Sequence, residues 1–385
     1  MIAKEKETKP FYRKRSFLIG AVAAVVALAL LVTALVLAFT AAPAVYRLGG
    51  ATLREDVYSY WFSCMKYVNL VRYRDLMIED SAQGWAKIGE DGRSYEEMFY
   101  ELIDEEIRLR FVAASLFDSQ GYTLSRADYE ALDTVIADLE TEGFGEVPFD
   151  VLKENFGVGK NAVKQTALYE QKYIAFYKQL FSSPSAIYSV DYRDALKTFY
   201  ETYYYRFNMI YLPDSVGVET VAALENALWK TGNVGVSAVT GVTEEEFTAL
   251  EKEYTDENFK VTSGNYPNGI YLYAGESYAN SFSAELLSAF GEANEIGKVV
   301  KKRNAADNGS YYVMRYALDD APYLSSNERV AACFESLPNY AGVYLYRSLL
   351  RREFASLRSE GIAETYTVSG AVTCKEYNIV QLLGG

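Results

Sequence analysis

The uncharged run FLIGAVAAVVALALLVTALVLAF, from Phe17 to Phe39, restricts the architectures open to this chain more than any other feature. Its length matches the roughly 20 apolar residues that carry a helix across a bilayer core, so it reads as one transmembrane helix. Lys4, Lys6, Lys9, Arg13, Lys14 and Arg15 precede it, and such an excess of Lys and Arg beside a span holds that end in the cytoplasm. The expected topology is therefore a basic cytoplasmic tail over residues 1–16, a single-pass span over 17–39, and a large extracytoplasmic part anchored in the cell membrane. A cleaved signal peptide is the competing arrangement, and Ala42 to Ala44 offers small residues to a peptidase. Its apolar core is usually only about 7–15 residues, so the length favours an uncleaved anchor.

The formal net charge is −14, and the first 40 residues hold six basic and two acidic groups, which leaves −18 on the remainder. A surface of that sign repels phosphate backbones and anionic lipid headgroups, which argues against nucleic acid as a partner. The chain has no histidine and three scattered cysteines, Cys64, Cys333 and Cys374. Neither a disulfide framework nor a zinc site follows from that pattern, and no Asp-rich loop has calcium-binding spacing. One bridge between Cys333 and Cys374 stays open. There is no Gly-rich phosphate loop ending in Lys-Ser/Thr, and no cofactor is called for.

Past residue 44 the text reads as a short strand, a Gly-Gly turn and a helix, with Thr52 and Glu55 in capping-box spacing. A second helix starts at Ser94 with Glu97, and Phe99, Leu102, Ile103, Ile107 and Phe111 form its apolar face. Further helices are predicted over about 125–142, near 149–155, over 160–181 and over 191–204. At Arg206 the character changes. Strand-like FNMIYL leads into two helical stretches, then GIYLY, another short helix, and the β-like runs GKVVKK and SYYVMRY. After Pro322 a helical stripe runs to about Leu357, and YTVSGAVTCKEYNIVQLL reads as strand. The fold class is α+β: a discontinuous helical domain over 45–204 and 322–385, interrupted by a small α/β module over 205–320. Tyrosine is abundant, 34 residues, and clusters in YETYYY. Either an adaptable contact surface or ordinary helix packing accounts for it.

These residues bear a resemblance. The stretches VYRLGGATLREDVYSY and SVDYRDALKTFYETYYYRFNMIYL are similar to the opening strand and helix, and to the acidic helix leading into the first parvulin strand, of SurA, PrsA and PpiD-type foldases. EEEFTALEKEYTDE, NYPNGIYLY, SYANSFSAELLSAF and GSYYVMRY follow in the order of a parvulin-type prolyl isomerase module. The resemblance implies a SurA-like helical chaperone domain that carries that module and has unfolded or newly exported polypeptides as partners.

Departures from the family bear on activity. The family's first histidine falls at Met209, or at Asn208 if the register slips by one, and its second at Tyr312. Its Cys or Asp falls near Asp256 or Glu257, and the Gly-Gly pair of its loop is replaced by SGNYPNGI. Lowering the barrier of ~18–20 kcal/mol to peptide-bond rotation needs preorganised polar groups as well as a pocket. By the same alignment Tyr278, Phe282 and Leu287 are the apolar groups that would embrace a proline ring, or else simply core residues. The expected function is a membrane-anchored chaperone with a catalytically degenerate parvulin module. The alternatives are a functioning isomerase that uses Tyr312, Glu257 and the apolar pocket, and an adaptor ectodomain that recruits one folded partner.

Overall fold

The computed structural model describes residues 42–141, 159–229, 238–239, 241–255, 261, 266–304, 308–375 and 378–383. The expected span over 17–39 and the short helix near 149–155 lie outside them, as do Asp256 and Glu257. Among the described residues no helix is long and apolar enough to cross a membrane. The chain forms two compact units, one comprising the described residues up to Phe176 together with those from Glu353 onward, the other Tyr177–Arg352.

In the first unit, Gly49 and Gly50 turn strand β1 (Ala44–Leu48) into strand β2 (Ala51–Arg54), and Gly49 adopts φ +55° at that corner. The sheet is completed by β8 (Arg358–Ser359), in the order β2-β1-β8. Helix α1 (Glu55–Arg72) starts directly from β2. Thr52 is consumed as a strand residue paired with Arg47, so the expected Thr52–Glu55 capping box does not form, and Arg54 takes the N-cap position without a side-chain bond. After the short helix α2 (Ala82–Trp85) comes α3 (Tyr95–Ser119), which has its capping box: Ser94 Oγ accepts from Glu97 N, and Glu97 accepts in return from Ser94 N. Phe99, Ile103, Ile107 and Phe111 are fully buried along one stripe of α3, with Leu102 half-buried beside them. Each full burial of this kind is worth about 1.5–3 kcal/mol relative to exposure.

Helices α4 (Arg126–Thr141) and α5 (Lys160–Leu180) follow. Arg110 of α3 is buried but paired: its Nε donates to Glu170 at 2.8 Å, its Nη1 to Glu106, and Trp61 Nε1 donates to Glu170 at 2.6 Å. Buried charges persist only when matched in this way. The stretch after Tyr366, expected as strand, is instead irregular and ends in the one-turn helix α12 (Ile379–Leu382). Side-chain bonds replace a ladder there. Lys66 Nζ donates to Ala371 O at 2.8 Å, and Asn378 Nδ2 donates to Cys64 O at 2.9 Å and Cys374 O at 3.1 Å. None of the three cysteines is in a disulfide; Cys374 lies against Cys64 within this unit, and Cys333 belongs to the other.

The second unit is built on a five-stranded antiparallel sheet. Its strands are β3 (Tyr204–Pro213), β4 (Ala238–Val239), β5 (Ile270–Tyr273), β6 (Lys298–Asn304) and β7 (Gly309–Tyr316), in the order β4-β6-β7-β3-β5. Helices α7 (Val218–Leu228) and α8 (Glu244–Tyr254) cover one face, and α9 (Ala284–Glu292) covers the other. Helix α6 (Arg193–Tyr203) precedes the sheet, and α10 (Glu328–Ala332) and α11 (Leu337–Arg352) follow it. The helices at both ends of the unit belong with it because they share one aromatic core. Leu196, Phe199 and Tyr200 recur at helical spacing on α6 and pack with Tyr204, Phe334 and Leu345. The unit boundaries consequently divide both stretches expected for the helical domain, 45–204 and 322–385. Much of the tyrosine cluster is spent here, with Tyr200 and Tyr204 buried and only Tyr203 substantially exposed.

Candidate functional site

Side chains alternate across a strand with period two, and this decides which of the expected site residues meet. In the β3–β7 ladder Met209 lies opposite Val313, Ile210 opposite Tyr312, and Tyr211 opposite Tyr311. Phe207, Met209, Tyr211, Tyr311 and Val313 face α9. Tyr278, Phe282 and Leu287 pack half-buried against the same cluster. Phe282 stands edge-on to Phe290 of α9 at 5.5 Å between ring centroids and 6.2 Å from Tyr278. The structure therefore brings Met209, Tyr278, Phe282 and Leu287 together: a buried apolar floor with a partly open aromatic rim. Of the two strand registers, Met209 shares that face. Asn208 does not, because its Nδ2 donates to Tyr316 Oη at 3.1 Å on the opposite one.

Tyr312 also belongs to the opposite face. It packs with Ile210, Leu224, Trp229 and Phe247, and its hydroxyl donates to Glu225 Oε1 at 2.8 Å. Lys301 Nζ reaches the same oxygen at 2.6 Å. Burial, followed by the bond to Glu225 and its charge, pushes the Tyr312 hydroxyl far above its ordinary value. It is a neutral donor committed to a neighbour and turned away from Met209. The physical reason is parity: Tyr312 and Met209 occupy positions of opposite pleat in paired strands.

Two residues not singled out in the sequence occupy the floor instead. Tyr211 and Tyr311 are buried across the ladder with ring centroids 5.1 Å apart. Gly309 makes room for this pair, since a Cβ at that position would meet the Tyr211 ring at 2.5 Å and Leu212 O at 2.6 Å. Counting by twos from Met209 finds Tyr211, but the adjacent pair Tyr311-Tyr312 presents an aromatic in either register, and nothing local chooses between them.

Two recesses border this architecture. A cleft of about 340 Å³ is lined by Tyr278, already on the rim, together with Tyr204, Tyr273, Tyr340, Glu276 and Arg329 among others. A wider recess of about 800 Å³ includes Arg206, Glu244, Tyr316 and Asp319. Arg206 pairs with Glu244 and Asp319 and lies over the Tyr316 ring at 5.1 Å, while Glu244 accepts from Ala317 N at 2.6 Å. That network ties the end of β7 to the start of α8. Among the described residues no cluster of acidic or cysteine side chains converges as a metal site. The α9 face thus offers apolar surface, aromatic rings and hydroxyls, and no imidazole.

No family model matches the chain, and no curated protein matches it. Solved structures similar to it include a peptidylprolyl isomerase (PrsA) from Bacillus anthracis, 16% identical, with 67% of this chain and 96% of that chain covered at a TM-score of 0.21. Foldase protein PrsA from Streptococcus pneumoniae is 14% identical, with 78% and 98% covered at 0.21. PrsA from Bacillus subtilis is 14% identical, with 67% and 86% covered at 0.24. Superpositions of this quality carry no assignment of activity, which rests on the residues themselves.

Proposed function

We propose that this chain is a foldase-type chaperone that holds unfolded, newly exported polypeptides, that residues 17–39 anchor it in the membrane, and that its parvulin-like module over 205–320 binds without efficient isomerisation. The observation that carries the reading is the α9 face. Met209 is buried in a cluster with Phe207, Tyr211, Tyr311 and Val313, and Tyr278, Phe282 and Leu287 pack half-buried against it as a partly exposed apolar surface. Burying apolar client surface there contributes about 25 cal/mol per Å² and needs no catalytic group. Rotation about an X-Pro bond is different, because its barrier falls only where donors are aimed at the twisting amide. The donor expected at Tyr312 is committed to Glu225 on the other face.

The test pairs two measurements on the purified protein. Suppression of aggregation of a denatured client is expected, together with little acceleration in a protease-coupled proline assay. Robust turnover would make the isomerase reading correct, with Tyr211 and Tyr311 as the hydroxyls to examine. Absence of both activities would leave the adaptor reading.

A further inference from the structure

The tyrosine-lined cleft beside the rim has a chemistry of its own. Tyr273 and Tyr340 stack at 4.3 Å with their planes 12° apart, and Tyr204 lies 5.5 Å from Tyr273. The rings are held rather than loose: Tyr340 Oη donates to Glu276 Oε2 at 2.8 Å, and Tyr278 Oη accepts from Tyr273 N at 2.7 Å. The bond to Glu276, followed by burial, raises the Tyr340 hydroxyl. Burial first, with the charge of Glu276 adding to it, pushes the Tyr278 hydroxyl up to about 12. The cleft therefore presents neutral tyrosine rings beside Glu276, with Arg329 at its margin.

We infer that this cleft is a cage for a cationic side chain, Lys or Arg, carried on an extended polypeptide segment. This deepens the proposed function and rests on its premise that the chain binds polypeptides. Aromatic faces attract an ammonium or guanidinium group through the ring quadrupole, and Glu276 supplies the countercharge. Arg329 is exposed on α10 at the margin of the same cleft. The cleft is thus matched to a cation, which a purely aliphatic segment does not provide.

The protein carries its own reporter. Cys333 is half-buried and lines this cleft, whereas Cys64 and Cys374 are buried elsewhere. Maleimide labelling of Cys333 in the full-length protein, followed by mass spectrometry, reads occupancy directly. The probes are a short extended peptide with one central lysine and the same peptide with norleucine in its place. The lysine peptide is expected to slow labelling about 3- to 10-fold more than the norleucine peptide at equal concentration at low ionic strength, with the difference shrinking as salt is added. Glu276→Gln, an isosteric change at an exposed position, is expected to abolish the difference while leaving circular dichroism unchanged. Equal protection by the two peptides, protection by neither, or a lysine preference that survives Glu276→Gln would overturn the inference. The failures are separable: a protein that suppresses aggregation yet fails this test loses the cage and keeps the holding function. One that shows lysine-dependent protection yet holds no client keeps the cage and loses the chaperone reading.

Discussion

The two faces of the five-stranded sheet use the same kinds of residue to opposite ends. On the α7 and α8 face, polar groups close on one another: Tyr312 and Lys301 meet on Glu225, and Asn208 and Thr248 meet on the Tyr316 hydroxyl. On the α9 face Tyr211, Tyr311 and Met209 form a floor, and the rim residues Tyr278, Phe282 and Leu287 remain half-buried. The first arrangement is stabilising, since these polar groups are already committed to one another. The second is less completely covered, and it is the face proposed to take a client. An aromatic or polar residue in this module is informative about function only once its face is known.

The contrast can be broken most forcefully at Gly309. Gly309→Ala pushes a methyl group into the Tyr211 ring and the Leu212 carbonyl, an overpacking expected to cost about 1–3 kcal/mol, read as a lowered urea midpoint. An unchanged midpoint would mean that the floor is not tightly packed. Phe282→Asp acts on the rim, where a charge would have to be desolvated beneath a bound apolar group. Its expected effect is about a tenfold loss of peptide affinity, roughly 1.4 kcal/mol, with little change in stability because Phe282 is only half-buried. A large fall in melting temperature would instead make Phe282 a core residue.

Tyr312→Phe sharpens the comparison from the other side. It removes one hydrogen bond to Glu225, worth about 1 kcal/mol, and is expected to leave client holding untouched. Loss of a robust prolyl-isomerase turnover in this variant would reverse the assignment of the two faces. The last effect is confined to high pH. Burial pushes the Tyr316 hydroxyl up to about 12, whereas in the unfolded chain a tyrosine ionises near 10. The folded state then holds its proton more tightly, so the contribution is fully present below pH 10 and is lost as pH rises from about 10 towards 12, with a slope of about 1.4 kcal/mol per pH unit. Denaturation curves of Tyr316→Phe should therefore show a flatter alkaline decline than the parent, with the same pH dependence below pH 9.

Much of the architecture was legible. The apolar stripe of α3 and its Ser94–Glu97 cap are local patterns, and local patterns survive folding when nothing competes for their residues. The same spacing at Thr52 and Glu55 failed because β2 claimed Thr52 for a ladder with β1, a partner that no helix signal announces. The C-terminal stretch has strand-like composition, yet Asn378 and Lys66 satisfy its backbone through side chains instead. At the site, the resemblance to the parvulin module is what groups Tyr278, Phe282, Leu287 and Met209, whereas Tyr312 could not be separated from Tyr311. A one-residue change in register moves a side chain to the other face, and two adjacent tyrosines look alike from either.

The sequence by itself determined the alternation of helices and strands, the change of character at Arg206, the strong negative charge and the absence of any imidazole, because these depend on residue identity and short-range periodicity. Tertiary structure alone decided that Tyr312 turns towards Glu225, that Tyr211 and Tyr311 make the floor, and that tyrosines from β3, β5 and α11 gather with Glu276 around one cleft. The reason is physical: strand register and helix packing are settled by contacts between segments about 100 residues apart, and no window of sequence contains both partners.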